Sequence, residues 1–124
     1  MNILVIEDSP MQAKIAQQMM AKVSSAHQVD IADCCDAARE KILGMQYDII
    51  LVDFGLPDGN GLELTRELRD SGVTSYMYAL SGNFDTVPLE DRKAAGLDGG
   101  CRKPFSFDKA EEVVRSYRDA IGQK

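Results

Sequence analysis

Four short segments of the chain carry side chains that could take part in phosphoryl transfer. Glu7 and Asp8 follow an apolar run near the N-terminus, and Asp53 ends a second apolar run. Ser81 ends a third run, and Lys103 follows a short segment that contains two glycines. A carboxylate can attack phosphorus and form an acyl phosphate, while hydroxyl and ammonium groups can donate hydrogen bonds to phosphoryl oxygens. These five side chains are therefore suited to phosphoryl transfer, provided that the fold brings them together.

The apolar runs predict the strands of a parallel sheet, because each run is short and a segment with helical periodicity follows it. The predicted strands are Asn2–Glu7, Gln28–Ala32, Tyr47–Asp53, Tyr76–Ser81 and Gly99–Lys103. The predicted helices begin at the capping residues Ser9, Asp33, Asn60 and Ser106, with a shorter helix over Asp85–Ala95. This alternation of strand and helix, repeated five times, is typical of an α/β fold with a doubly wound five-stranded parallel sheet.

Three of the predicted helices have apolar residues at helical spacing, which we interpret as the faces that pack on the sheet. In the first helix these residues are Met11, Ile15, Met19 and Val23. In the second helix they are Ala37, Ala38, Ile42 and Leu43, with Gly44 at the end. In the last helix they are Ala110, Val113, Val114, Tyr117 and Ile121.

The acidic residues are predicted to meet at one edge of the sheet. In an open parallel sheet, ligands bind outside the carboxyl ends of the strands, where the strand order reverses. With the strand order 2-1-3-4-5, Glu7, Asp8 and Asp53 would share one pocket. Three carboxylates repel one another, so either one is protonated or a cation neutralises them, and oxygen ligands with room for water suit Mg²⁺. Alternatively, each acid caps the helix that follows it, which explains Asp8 well but Asp53 poorly, because a long turn follows Asp53.

The composition predicts one cytoplasmic domain over residues 1–124 with no output domain, since 124 residues is an ordinary domain size. The net charge is −6 and the cations are scattered, which predicts no nucleic-acid binding. The first residues lack the pattern of a signal peptide, and no apolar run is long enough to span a membrane, so we expect no membrane insertion. The cysteines are odd in number (Cys34, Cys35 and Cys101), and we interpret them as reduced thiols. His27 precedes the second strand in a polar segment and is interpreted as solvated.

Taken together and in order, four motifs resemble the receiver domain of two-component response regulators, a family with a flavodoxin-like fold. "VIEDSP" (Val5–Pro10) resembles the acidic pair, and "DIILVDFGLPDGNGLEL" (Asp48–Leu64) resembles the phosphoacceptor strand and loop. "ALSG" (Ala79–Gly82) resembles the segment with the switch hydroxyl, and "KPF" (Lys103–Phe105) resembles the lysine–proline signature. Each motif alone is weak, but four at these separations are specific, and they extend over essentially the whole chain.

The resemblance implies a phosphoacceptor and a metal site. Asp53 would accept a phosphoryl group from the phosphohistidine of a sensor histidine kinase or a histidine phosphotransfer protein. Asp8 would ligate Mg²⁺ (or Mn²⁺) directly, Glu7 would hold it mainly through water, and the Gly55 carbonyl would supply a further ligand beside Asp53. The protein would not be an enzyme beyond its own aspartyl phosphorylation and dephosphorylation, and it would signal to an unknown downstream protein by contact or by onward phosphotransfer.

The resemblance also implies a switch. Ser81 would move toward the phosphoryl group, Lys103 would pair with it, and the Lys103–Pro104 bond would be cis. The family often has Tyr or Phe three residues before this lysine, whereas this chain has Gly100, so the usual relay through an aromatic ring is missing. By the same analogy, the residues expected to dock the kinase are Ser9, Pro10, Met11, Lys14, Ile15 and Phe105.

Three alternatives stay open at the level of sequence. The first is an interaction module with this fold that signals without phosphate, which Gly100 would suit. The second is the receiver segment of a hybrid histidine kinase. The third is a flavodoxin-like cofactor binder, but its phosphate loop would have to be "EDSPMQ", which is acidic and lacks glycine.

Overall fold

The computed structural model describes residues 1–122 and shows a five-stranded sheet between two layers of helices. The strands are β1 (Asn2–Ile6), β2 (Gln28–Ala32), β3 (Ile49–Val52), β4 (Tyr76–Ser81) and β5 (Gly99–Arg102). The helices are α1 (Pro10–Ser24), α2 (Cys35–Gly44), α3 (Gly61–Asp70), α4 (Leu89–Ala95) and α5 (Phe107–Ala120). None of the helices within residues 1–122 is long and apolar enough to cross a membrane.

The strand order confirms the predicted fold class. All neighbouring strands of this sheet are parallel, and their order is β2-β1-β3-β4-β5. A separate short antiparallel pair joins Gly55–Leu56 with Gly59–Asn60 in the loop after β3. The order reverses between β1 and β3, where Ile6 is paired with Val52 at the carboxyl ends of the two strands. The residues that follow these two strands therefore lie side by side at the predicted edge.

Alternation along the strands divides the buried residues into two clusters and also orients the polar residues beyond the strands. Ile3 and Val5 of β1 pack with α1 and α5, whereas Leu4 and Ile6 pack with α2 and α3. Residues 49 and 51 of β3 likewise face α1 and α5, and residues 50 and 52 face the other layer. Because successive side chains of a strand point to opposite faces, this alternation directs Glu7 and Asp53 toward the layer that contains α1.

The predicted packing face of α1 is partly wrong. Its buried residues are Ala13, Ala16, Met20 and Ser24. Met11 is 71% exposed and Ile15 is 41% exposed. The buried residues Ala16, Met20 and Ser24 have the same spacing of four residues but stand one position later in the helix. The face that packs on the sheet is therefore rotated by about 100° from the predicted stripe, which leaves Met19 and Val23 partly buried at its edge.

Smaller corrections concern α2 and α5. Leu43 is 89% exposed and Ile121 is 49% exposed, because the buried faces are built instead from Cys35 and Ala38 in α2 and from three residues of α5. The N-cap of α2 is Cys34 rather than Asp33, and the Cys34 side chain accepts a hydrogen bond from the Ala37 N–H at 3.4 Å.

The segment predicted as one helix over residues 85–95 is divided in two. A 3₁₀ turn spans Phe84–Thr86, and α4 begins only at Leu89. Pro88 occupies the N-cap position of α4, where its missing N–H group leaves no helical hydrogen bond unmade. Phe84 is the first residue of the 3₁₀ turn, in the connection after β4, and its side chain is buried in the core.

Candidate functional site

Backbone hydrogen bonds hold Glu7 and Asp53 at the carboxyl edge of the sheet. The Asp53 N–H donates to the Ile6 carbonyl at 3.0 Å, and the Glu7 N–H donates to the Ala32 carbonyl at 2.9 Å. These bonds continue the strand ladders by one residue. Both side chains are buried, with 8% exposure at Asp53 and 5% at Glu7, whereas Asp8 is exposed.

The three acidic residues form a cluster that fits a hard divalent cation. Carboxylate oxygens of Glu7, Asp8 and Asp53 all lie within 4.8 Å of one another. Gly55 lies beside them, since its N–H group donates to Asp53 Oδ1 at 3.3 Å. Gly55 itself is exposed to solvent. Oxygen-only ligands with one solvent-facing member suit Mg²⁺ or Mn²⁺, which retain several water ligands. The donor set of the site thus agrees with the metal expected from the sequence.

The Lys103 ammonium group bridges the cluster to helix α1. It donates hydrogen bonds to a Glu7 carboxylate oxygen, to Asp53 Oδ2 at 3.0 Å and to Gln12 Oε1 at 2.6 Å. Gln12 could not be predicted as a site residue, because a glutamine in the first turn of a helix is ordinarily exposed to solvent. The contact depends on the orientation of α1 and is invisible in local sequence.

Burial and hydrogen bonding shift the pKa values of two groups at the site. Burial raises the pKa of Glu7 above its usual value, although hydrogen bonds from Lys103 and from the Ser9 N–H act in the opposite direction. For Lys103, burial alone would lower the pKa, but hydrogen bonds with Glu7 and Asp53 outweigh it and raise the pKa above its usual value. The ammonium group therefore remains charged beside two buried carboxylates.

The Ser81 hydroxyl reaches the same edge but bonds to its own loop. Ser81 is buried at the end of β4, and its Oγ donates to Asn83 Oδ1 at 2.6 Å. The Asn83 N–H lies 3.5 Å from the same Oγ. Ser81 is thus available to a ligand on Asp53 only if it gives up its bond to Asn83.

A cavity of about 330 Å³ opens beside Lys103. The residues around it are Glu7, Gln12, Ile15, Leu80, Lys103, Pro104 and Phe105. The peptide bond between Lys103 and Pro104 is cis. Pro10, Met11 and Lys14 are exposed on the first turns of α1, next to this cavity along the helix. The expected docking residues therefore occupy one side of the site.

The loop between Asp53 and α3 packs closely against the phosphoacceptor candidate. The Gly61 N–H donates to the Phe54 carbonyl at 2.8 Å, and a Cβ at position 61 would lie only 2.0 Å from the Asp53 carbonyl oxygen. Asn60 caps α3 by accepting a hydrogen bond from the Leu62 N–H at 2.7 Å. At least one glycine of "PDGNG" is thus required by a close approach of two backbones and not only by a turn.

Comparison with known proteins agrees with this geometry. The family model for the response regulator receiver domain matches residues 3–115. Transcriptional regulatory protein DltR of Streptococcus agalactiae is 30% identical over 115 residues, which cover 93% of this chain and 50% of DltR. Aerobic respiration control sensor protein ArcB of Escherichia coli is 29% identical over 122 residues, which cover 96% of this chain and 15% of ArcB. This chain therefore spans half the length of DltR and much less of ArcB.

Solved structures show the same fold. Response regulator protein TrrA of Thermotoga maritima, in complex with Mg(2+)-BeF, superposes with a TM-score of 0.81 at 23% identity, covering 94% of this chain and 97% of TrrA. The family model matches most of the chain, and the strand order is the one that the fold requires. The chain therefore belongs to the response regulator receiver domain family of two-component systems.

Proposed function

We propose that this chain is a phosphoacceptor receiver that undergoes Mg²⁺-dependent phosphorylation on Asp53. One observation carries the proposal: the Asp53 carboxylate lies within one small cluster with Glu7 and Asp8 and accepts a hydrogen bond from the Lys103 ammonium. A structural ion pair would need neither the exposed third carboxylate nor the hydroxyl of Ser81 on the same edge.

The proposed step is attack of an Asp53 carboxylate oxygen on the phosphorus of a phosphohistidine. A bond forms from that oxygen to phosphorus, and the bond from phosphorus to the histidine nitrogen breaks. Its electron pair remains on the imidazole, which takes a proton from solvent. Lys103 would donate to a phosphoryl oxygen, and Ser81 would donate to another after leaving Asn83. A divalent cation held by Glu7, Asp8, Asp53 and the Gly55 carbonyl would neutralise charge on the phosphoryl group.

The proposed phosphodonor is a sensor histidine kinase or a histidine phosphotransfer protein. Met11 and Ile15 are exposed apolar residues on α1, and Phe105 lies beside the cavity next to Lys103. An apolar surface next to a reactive group suits a partner that docks an apolar helix and presents a histidine. We further propose that the protein is cytoplasmic and that this domain does not bind nucleic acid. Its only enzymatic activity would be the turnover of its own acyl phosphate.

The test is phosphorylation by acetyl phosphate in the presence of Mg²⁺, followed by intact-mass measurement. We expect one base-labile phosphoryl group on the wild type and none on Asp53→Ala. Asp58→Asn is the matched control, since Asp58 lies in the same loop as Asp53 but is exposed and accepts a hydrogen bond from the N-terminus of α2. This variant should still accept phosphate. Equal phosphorylation of Asp53→Ala and wild type would show that the assignment is wrong.

A second candidate is a receiver segment of a hybrid histidine kinase. The similarity to the sensor protein ArcB favours this candidate, since the match covers only 15% of the length of ArcB. An antibody against residues of α2 would identify the native product by its mass in its own cells. A product of about the mass of this chain would exclude the hybrid kinase, and a much larger product would support it.

A further inference from the structure

The ring of Phe84 occupies the space above Gly100 on β5. A Cβ at position 100 would lie 2.3 Å from Cε1 and 2.7 Å from Cζ of Phe84, closer than real contacts allow. It would also lie 3.0 Å from the Ala79 carbonyl oxygen. Gly100 does not have a positive φ angle, so its backbone conformation does not demand glycine. The ring is what excludes a larger residue at this position.

The same ring contacts two other parts of the molecule. It stacks on Phe54, with the ring centroids 6.2 Å apart and the planes at 27°. The Arg92 guanidinium of α4 lies over it, with Cζ 4.2 Å from the ring centroid. Within the described residues, the buried Nε of Arg92 has no hydrogen-bond partner. The ring face is therefore a principal neighbour of this cation, an arrangement that is favourable because the face of an aromatic ring is electronegative.

These contacts connect α4 to the carboxyl edge of the sheet, where Asp53 lies. Phe54 directly follows Asp53 in sequence, and Phe84 directly follows Asn83, which holds the Ser81 hydroxyl at 2.6 Å. Phe84 is only 8% exposed and is enclosed by Phe54, Gly100 and Arg92. Because Asn83 and Phe84 are adjacent, a backbone movement of this loop would shift both the side chain that holds Ser81 and the ring.

We propose that Phe84 is a positioning residue for the Ser81 hydroxyl, and that its ring transmits the state of Asp53 to helix α4 through Arg92. The inference rests on the proposed phosphorylation of Asp53. Gly100 has a defined part in it, since it provides the space in which the ring lies. An aromatic ring thus contacts this part of β5, but it belongs to the loop that carries the hydroxyl and not to β5 itself.

The experiment adds beryllofluoride, a stable mimic of the acyl phosphate, to protein already saturated with Mg²⁺, and follows the backbone amide resonances relative to Mg²⁺ alone. In the wild type we expect resonance changes both at residues 7 and 8 and across α4. In Phe84→Ala we expect the changes at residues 7 and 8 to persist and those across α4 to fall by about threefold. A variant with a merely structural defect would lower the thermal midpoint without separating the two sets of changes.

A second variant tests the same ring without removing it. Gly100→Ala should displace the ring of Phe84 and reduce the α4 response as Phe84→Ala does. The double variant Phe84→Ala/Gly100→Ala should show no loss beyond that of Phe84→Ala, because the methyl group then occupies space that the ring has left. Gly44→Ala is the matched control, since a Cβ there meets no described atom within 4 Å.

The outcomes separate the two proposals. If the wild type shows no resonance changes at residues 7 and 8, phosphorylation at this site is wrong. If those residues respond but α4 does not, or if Phe84→Ala retains the full α4 response, the ring proposal is overturned. If Phe84→Ala does not fold, Phe84→Leu replaces it, because leucine fills apolar volume without an aromatic face, and a full α4 response in Phe84→Leu overturns the proposal equally.

Discussion

The ammonium group of Lys103 has three N–H donors, and each has an acceptor: Glu7, Gln12 and Asp53. A phosphoryl oxygen can therefore bond this group only by replacing one of these acceptors. Hydrogen bonds to carboxylates are stronger than those to a neutral amide, so the bond to Gln12 is the least costly to replace. We therefore expect Gln12 to be the acceptor that a phosphoryl oxygen replaces.

Lys103→Met is expected to slow phosphorylation by acetyl phosphate by about 100-fold, because it removes a donor from the developing charge at the phosphoryl group. Gln12→Leu is expected to slow the reaction less, by at most about tenfold, because it removes only a restraint on the donor. Gln18→Leu is the control, since Gln18 is exposed on the same helix and does not contact Lys103 in the described structure. Rates come from the time course of intact mass, and a wild-type rate in Lys103→Met would contradict the role of this residue.

At the scale of elements, the start of α3 lies directly beneath the phosphoacceptor candidate. The first residue of α3, Gly61, bonds the Phe54 carbonyl and approaches the Asp53 carbonyl too closely for a side chain. The same loop supplies Asp58, whose carboxylate accepts from the Cys35 N–H at 2.7 Å and from the Asp36 N–H at 3.0 Å. One loop thus positions Asp53 and caps α2.

Gly61→Ala is expected to lower the free energy of unfolding by about 1–3 kcal/mol, since the added methyl group must move one of two backbones. The phosphorylation rate should fall too, because one of these two backbones carries Asp53. Urea unfolding measures the first effect and the acetyl phosphate reaction the second. Gly44→Ala serves as the control, and an unchanged unfolding midpoint for Gly61→Ala would contradict the close approach.

Asp58 should make the stability depend on pH in the acidic range. Backbone hydrogen bonds from Cys35 and Asp36 lower the pKa of Asp58 below its usual value of 3.8. A carboxyl group with a lowered folded-state pKa stabilises the fold above the unfolded pKa, and this contribution is lost as the pH falls through the folded pKa. Asp58→Ala should therefore have a lower free energy of unfolding than wild type at neutral pH. This difference should become smaller below about pH 4.

Urea midpoints of wild type and Asp58→Ala at a series of pH values measure this difference in stability. The contributions of the other carboxyl groups are common to both proteins and cancel. Asp58→Asn retains one acceptor but does not titrate, so its difference from wild type should also become smaller in acid. A difference that stays constant from neutral to acidic pH would contradict the capping role.

At the scale of the whole molecule, the strand order places three carboxylates beside one another in a chain whose net charge is already −6. Lys103 compensates only part of this local charge. The repulsion disfavours the folded state, and a bound divalent cation would relieve it. Stability should therefore depend on metal more strongly than it would for a receiver fold without this cluster.

Mg²⁺ is expected to raise the thermal midpoint of the wild type, because a ligand that binds only the folded state stabilises that state. The free energy of unfolding rises by about 2.7 kcal/mol when the ligand concentration is 100 times the dissociation constant. Asp53→Ala should lose most of this increase, whereas the control Asp58→Asn should retain it. Scanning calorimetry with Mg²⁺ or with EDTA measures the difference. A wild-type midpoint that does not respond to Mg²⁺ would contradict the metal site.

The sequence by itself determined the strands, most of the caps and the polar residues at the strand ends. These features are local: apolar runs form strands, and Ser9, Asn60 and Ser106 cap helices by bonding residues two or three positions away. The alternation of strand and helix then restricts the topology, which is why the meeting of Glu7 with Asp53 could be predicted from residues 46 positions apart.

Only the tertiary structure decided which face of α1 is buried, which glutamine holds Lys103 and which ring lies on Gly100. Gln12 and Lys103 are separated by 91 positions, and their contact depends on how α1 lies against the sheet. Met11 and Ile15 were misplaced for the same reason, since the buried arc of a helix is set by what packs on it. Phe84 lies in a 3₁₀ turn that was not predicted, and its ring reaches Gly100 across the core. Such contacts are chosen by the packing of the whole core, which no local pattern encodes.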